Sequence, residues 1–199
     1  MIKSKDILGI FKVGITLFLI TAVSALVLAV VNSYTAPVIA ENTAKKQAES
    51  MKKVVTDAIS FNKLNTSDYT AVIEYTSAVN GIYEGVNSNG EICGYAVMVS
   101  PNGYGGEISM AVGVSNDLKV LGIDIITQSE TPGLGSKCED DAFKAQFVGK
   151  ESITVVKSGA KENEIDAISG ATRTSNAVAK GVNTALAVVH NVKGGVADE

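Results

Sequence analysis

The chain has 199 residues, with 17 basic and 21 acidic side chains for a net charge of −4, 46% hydrophobic residues, 19 glycines, two cysteines, one histidine and no tryptophan. That length and apolar share exclude a disordered, collagen-like or disulfide-scaffold chain, and a pI near 5.1 excludes the dense positive footprint that nucleic acid requires. One His and two Cys leave little from which to build a metal site, while a mean hydropathy of +0.21 is high for a soluble domain that is 19% charged.

The apolar excess lies at the N-terminus. Val13 to Val31 reads VGITLFLITAVSALVLAVV, 19 residues without a charge. As a helix rising about 1.5 Å per residue it spans about 28 Å, close to the hydrocarbon thickness of a bilayer. It is apolar all round, unlike an amphipathic core helix. Val38 and Ala40 sit like the small residues of a signal-peptide cleavage site, but such a peptide has an apolar region of only about 7–15 residues. The longer run favours an uncleaved anchor.

Lys3, Lys5 and Lys12 precede this run with only Asp6 against them. The excess places residues 1–12 in the cytoplasm, a transmembrane helix over 13–33 and the remainder outside. Setting aside those four residues leaves 14 basic and 20 acidic side chains, a net charge of −6. Gly14, Thr21 and Ala25 make a small-residue stripe on the span, of the kind that lets a second helix approach closely.

Tyr34 to Pro37 reads as a joint, with Pro37 at the first position of a new helix. Apolar residues at Val38, Ala44, Ala48, Met51, Val55 and Ile59 predict an amphipathic helix to about Ser60, followed by a polar loop from Asn62 to Asp68. Residues 34–68 are thus expected as amphipathic helix and linker, and 69–199 as the exported domain. Within it, β-branched alternation predicts strands at Ala71–Tyr75, Gly81–Val86, Ile92–Val99, Glu107–Val114 and Val120–Thr127. Hairpin chemistry at Asn87–Gly90 and Ser115–Asp117 makes an antiparallel meander the economical topology. A Gly/Pro loop from Glu130 to Gly135, a helical pattern over Asp141–Phe147, a strand at Ser152–Val156 and a final helix over Ser175–Asn191 complete the chain. The class is α+β: a transmembrane helix, then a mainly antiparallel sheet flanked by helices.

The stretch Asp166-Ala-Ile-Ser-Gly-Ala-Thr-Arg-Thr-Ser175 stands just before the last helix. Ser, Thr and Gly are ordinary material for a helix entrance. The same entrance offers unpaired N–H groups and the positive end of the helix dipole, which favour a phosphate. The pattern Asp-x-x-Ser-Gly-Ala-Thr resembles the recognition motif of the flavin transferase that joins FMN, through its phosphate, to the final threonine. Gly103-Tyr-Gly-Gly-Glu-Ile108 and Glu130-Thr-Pro-Gly-Leu-Gly135 match the same group. With the anchor and the order of segments, the chain is similar over nearly its whole length to the RnfG family, the G subunits of the Rnf complex, a membrane ferredoxin:NAD oxidoreductase that moves ions.

The resemblance implies one covalent FMN on Thr172, with Thr174 as the nearby competitor. It implies that Ser169, Gly170 and Ala171 form the turn and that Asp166 serves recognition by the transferase. It also implies a ring pocket bordered by Glu130, Thr131, Gly133 and Leu134; Tyr104, an aromatic beside a Gly-rich turn, reads either as a further ring contact or as a core plug. Partners implied are the A, B, C, D and E subunits of the Rnf complex, the flavin transferase and the membrane; the charge and the scarcity of His and Cys give no nucleic acid and no metal, and a flavin that does the redox chemistry leaves no catalytic side chain. Gln128 and Ser129 stand where some relatives carry histidine, which removes an imidazole acid or base. Two other readings stay open: the C subunit of the sodium-translocating NADH:quinone reductase, and a membrane-anchored binding or assembly module without redox function. Cys93 and Cys138 are read as free, and Glu139, Asp140 and Asp141 as a helix-start cluster.

Overall fold

A computed structural model describes residues 4–64 and 78–195, and the chain falls into two compact units, Met1–Lys45 and Lys46–Glu199. Helix α1 (Ser4–Val54) begins in the first unit and ends in the second. No residue in its most apolar window, of mean hydropathy 2.6, is buried. A helix that exposes Val13, Phe18, Leu26 and Leu28 on every side needs lipid around it, and this is the membrane anchor. The expected joint at Tyr34–Pro37 is absent: Pro37 lies inside an unbroken helix. Proline removes one i→i−4 donor, the one that would reach the Ser33 carbonyl, and the helix runs on through it to Val54.

The second unit is built on a five-stranded antiparallel meander, β1 (Ser60–Lys63), β2 (Val79–Val86), β3 (Ile92–Val99), β4 (Ser109–Val114) and β5 (Val120–Thr127), in sequential order. Strands two to five of this sheet fall where alternation predicts. The expected strand at Ala71–Tyr75 lies outside the described residues. The helix expected to reach Ser60 stops at Val54, and Ser60–Lys63 pairs with Tyr83–Val86 as the edge strand instead of opening a loop.

Both faces of the sheet are covered. On one, Val97, Val99, Met110, Val112 and Val114 pack with Val178, Val182, Ala185 and Val189 of the last helix in one buried cluster. Burying each of the larger side chains stabilises the fold by about 1.5–3 kcal/mol. On the other, Ala96, Met98 and Ala111 meet Val54 and Val55 at the end of α1. That end lies over a glycine track: Gly85 pairs with Gly94 and Gly113 with Gly122 across the strands, and a Cβ on Gly113 would come within 2.1 Å of the Val54 carbonyl oxygen. Beside it, buried Asp124 of β5 accepts from Ser50 Oγ at 2.7 Å and Lys53 Nζ at 3.2 Å.

After β5 come a 3-10 turn (Gly135–Glu139), helix α2 (Asp141–Ala145), β6 (Thr154–Val156), β7 (Glu164–Asp166) and helix α3 (Thr172–Gly195). Asp140 stands at the cap position of α2, and Asp141 in its first turn pairs with Lys144 at 2.9 Å. This hydrogen-bonded ammonium holds the Asp141 carboxyl below its usual range. No sequence pattern predicts strand β7; it runs parallel to β6, and three residues are too few for a periodic signal. Helix α3 begins three residues earlier than the pattern predicts and runs on past Asn191, because its entrance carries small polar residues without apolar periodicity.

Candidate functional site

Three segments meet beside the start of α3. The first is the tip of a narrow loop, Gly103–Gly106, closed by a Gly103 N–H bond to the Gly106 carbonyl at 2.7 Å. The second is Glu130–Gly135, a tight connection in which the Leu134 and Ser136 N–H groups both donate to the Thr131 carbonyl. Gly133 there adopts φ +74°, a conformation that favours glycine. The third is Ile168–Thr174. Its turn is closed by Ala171 N–H donating to Ile168 O at 2.9 Å, with Gly170 at φ +76° in the third position, as a type II turn requires.

Between them lies a cleft of about 560 Å³, lined by Tyr104, Glu130, Thr131, Leu134, Gly135 and the run Gly170–Thr174. This volume suits a cofactor-sized ligand. Of the residues expected at the site, Tyr104, Glu130, Thr131, Leu134, Gly170, Ala171, Thr172 and Thr174 line it. Ser169 is exposed in the turn but does not line the cleft, and Gly133 shapes its loop from outside. Asp166 lies away from it on β7. Its backbone N–H donates to Gln146 Oε1 and its Oδ1 accepts from Ala160 N–H at 2.9 Å, so it ties a neighbouring loop.

The two threonines differ sharply. Thr172 is exposed as the first residue of α3. Thr174 is 1% exposed, and its hydroxyl donates to Glu130 Oε2. The entrance of α3 also lacks the expected polar cap. Ala171 occupies the cap position, its carbonyl accepting from the Ser175 N–H and hydroxyl, and alanine is a poor cap. Ser175 Oγ instead accepts the Ile168 N–H. Among the described residues no side chain accepts from the backbone N–H of Thr172, Arg173 or Thr174, so the first turn presents orphan donors and a positive dipole end.

Arg173 is missing from the expected set. It is the one arginine of the chain, and its guanidinium stands 5.9 Å from the Tyr104 ring centroid, a cation–π contact at the cleft edge. Its position next to Thr172 is the only signal the sequence offers for it. Leu134, 43% exposed, and the Tyr104 ring supply the apolar surface opposite.

Glu130, which lines the cleft, also binds the neighbouring loop. The side chain is 5% exposed, and Oε1 accepts from the N–H groups of Tyr104 at 3.0 Å and Gly105 at 2.8 Å. Cys138 is buried nearby in the 3-10 turn. Burial, reinforced by Glu139 and Glu130, pushes its thiol up to about 11. It belongs to the cluster on the α3 face of the sheet, whereas Cys93 belongs to that on the α1 face. Both are free thiols. Among the described residues no group of His, Cys, Asp and Glu could hold a metal ion.

Two family models match the chain: the FMN-binding domain over residues 103–187 and the RnfG N-terminal region over residues 1–54. The chain is 39% identical to the G subunit of the Na(+)-translocating ferredoxin:NAD(+) oxidoreductase complex of Acetobacterium woodii, over 92% of this chain and 93% of that one. It is 35% identical to the G subunit of the proton-translocating ferredoxin:NAD(+) oxidoreductase complex of Clostridium ljungdahlii, over 98% and 100%. To the C subunit of the Na(+)-translocating NADH-quinone reductase of Vibrio anguillarum it is 41% identical, but over only 51% of this chain and 44% of that one. In fold it is similar to a crystal structure of the C subunit of the Na(+)-translocating NADH-quinone reductase of Parabacteroides distasonis, with a TM-score of 0.55 at 22% identity over 76% of this chain and 92% of that one.

Proposed function

The chain belongs to the RnfG family, the G subunits of ion-translocating ferredoxin:NAD oxidoreductase (Rnf) complexes, and from that premise we propose that it carries one FMN, joined as a phosphate ester to Oγ1 of Thr172, and passes electrons between the other subunits. The observation that carries this reading is the contrast at the entrance of α3. Thr172 is exposed beside a cleft and next to orphan N–H donors, while the competing hydroxyl of Thr174 is buried and bound.

The cleft fits the group. Uncapped N–H donors and Arg173 suit a phosphate, and Leu134 with the Tyr104 ring suits a flat, largely apolar ring system. The bound FMN supplies the electron-accepting and electron-donating chemistry. The protein fixes the attachment point, excludes water along Leu134 and Ala171, and keeps one charged side chain, Arg173, at the edge. No side chain needs to serve as nucleophile or base in turnover. Asp166 is a recognition point for the flavin transferase that makes the ester.

The lysines ahead of the anchor support a cytoplasmic N-terminus, a single span in the cell membrane over 13–33 and an extracytoplasmic domain, which includes β1 at Ser60–Lys63 and so starts before residue 69. The A, B, C, D and E subunits of the complex are the partners. The relatives matched over 93% and 100% of their length are G subunits by name, whereas the Vibrio anguillarum quinone reductase relative is matched over 44%, which favours the Rnf assignment.

The test uses the full-length chain produced together with its flavin transferase. After denaturing electrophoresis the wild-type band fluoresces as flavin, Thr172→Val gives a dark band, Thr174→Ser keeps the signal, and peptide fragmentation places the label on Thr172. A dark wild-type band overturns the proposal and leaves the non-redox module standing, and a bright Thr172→Val band overturns Thr172 as the attachment point and moves the ester to another residue.

A further inference from the structure

One buried carboxylate joins every wall of the cleft. Glu130 accepts from Tyr104 and Gly105 N–H on the Gly103–Gly106 loop and from the Thr174 hydroxyl on the first turn of α3. Its own N–H donates to Gln128 Oε1 at 2.6 Å. Neighbouring glycines make room for it: a Cβ on Gly103 would lie 2.3 Å from Glu130 Oε1, and one on Gly135 would lie 2.7 Å from Oε2. A side chain 5% exposed, with its oxygens saturated by donors from two other segments, is not free to meet a ligand. It is placed to hold the parts that do. The first turn of α3 that it grips through Thr174 carries Thr172 two residues earlier, and the loop it grips through Tyr104 N–H carries the ring that faces Arg173.

We propose that Glu130 is the positioning residue of this cleft: through its bonds to Thr174, Tyr104 and Gly105 it sets the Thr172 hydroxyl against Leu134 and Tyr104, so that the flavin is attached and seated in one geometry. The inference rests on the reading of Thr172 as the attachment site. Glu130 also keeps the Thr174 hydroxyl occupied, which leaves Thr172 as the accessible threonine of the pair.

Two conservative changes keep the principal bonds. In Glu130→Gln the amide oxygen at the Oε1 position still accepts from Tyr104 and Gly105, the longer 3.3 Å bond from Tyr104 N–H to Oε2 is given up, and the amide nitrogen donates to the Thr174 oxygen, whose hydroxyl rotates away. In Thr174→Ser the donor remains. Glu130→Ala removes the acceptor, leaving the buried Thr174 hydroxyl unpartnered and the Tyr104 and Gly105 N–H groups without their bond, and Thr174→Val removes a single donor.

The experiment uses the full chain, made with its transferase and purified as the folded, monodisperse species. It reads covalent flavin per folded molecule and the visible circular dichroism of the attached flavin. Expected are wild-type labelling and dichroism in Glu130→Gln and Thr174→Ser, and labelling lowered by at least about fivefold with an altered band in Glu130→Ala and Thr174→Val. A purely structural carboxylate would lower only the yield of folded protein. Wild-type labelling and dichroism per folded molecule in Thr174→Val, or in Glu130→Ala where it folds, overturn the proposal, as does loss of labelling in Glu130→Gln. Failure of the underlying reading looks different, because then Thr172→Val itself stays fluorescent or the wild type is dark.

Discussion

Replacing Gly105 by Ala tests whether the loop under the cleft is held as closely as its geometry indicates. A Cβ at Gly105 would stand 2.1 Å from the Ser129 carbonyl oxygen and 3.0 Å from its carbon, both backbone atoms, whereas ordinary contact begins near 3.4 Å. The loop must therefore move by about 1.3 Å, the difference between 3.4 and 2.1 Å. Overpacking of that kind costs about 1–3 kcal/mol. The same movement stretches the 2.8 Å bond from Gly105 N–H to Glu130 beyond hydrogen-bonding range, adding about 1 kcal/mol. A total of about 2–4 kcal/mol lowers the melting temperature of a chain this size by roughly 5–15 °C. Gly106 is the internal control. A Cβ there meets only the Ser129 side chain at 3.7 Å, so Gly106→Ala falls within about 0.5 kcal/mol of wild type. The assay is thermal unfolding of the detergent-solubilised full chain, followed by near-ultraviolet circular dichroism of its tyrosines, because far-ultraviolet signal from the anchor persists after the domain unfolds. Equal melting temperatures for Gly105→Ala and Gly106→Ala would refute the reasoning.

Asp124→Ala strips buried Ser50 of its acceptor and Lys53 of its partner, while Lys144 keeps Asp141. It lowers stability in urea unfolding by about 1–3 kcal/mol, while Ala at the exposed Asp117 leaves it within about 0.5 kcal/mol. With its thiol pushed up to about 11, buried Cys138 stays neutral at pH 8 and resists iodoacetamide, whereas partly exposed Cys93 reacts. Mass spectrometry then records one alkylation in the native protein and two after denaturation. Because the folded state holds the Cys138 proton more tightly than the unfolded state, this thiol's stabilising contribution is complete below pH 9 and is lost as pH rises towards about 11. Cys138→Ser flattens that decline.

The anchor and the four long strands are legible because their signals are local. Nineteen uncharged residues and period-two alternation each follow from backbone geometry and burial, with no need to know what lies opposite. The threonine motif is legible by resemblance, since small residues at a helix entrance have several uses and residue types alone do not choose among them. Where local signals mislead, a nonlocal interaction decides. Pro37 reads as a break, yet α1 continues through it. Ser60–Lys63 reads as the end of a helix and a loop, yet pairs with β2 along the sheet edge. Gly135 reads as the end of a Gly/Pro loop, yet it lines the cleft and, with Gly103, makes room for Glu130.

Adjacent residues alone dictate an apolar span, an acidic remainder, an antiparallel meander and a threonine at the mouth of a helix, because each is a property of neighbours along the chain. Which threonine is exposed depends on the tertiary fold, because only the approach of the Glu130 loop to α3 buries the Thr174 hydroxyl against a carboxylate 44 residues away in sequence. The fold also gives Glu130 its role, since a carboxylate drawn out of water must find donors, and those it finds come from two segments that sequence proximity does not join to it.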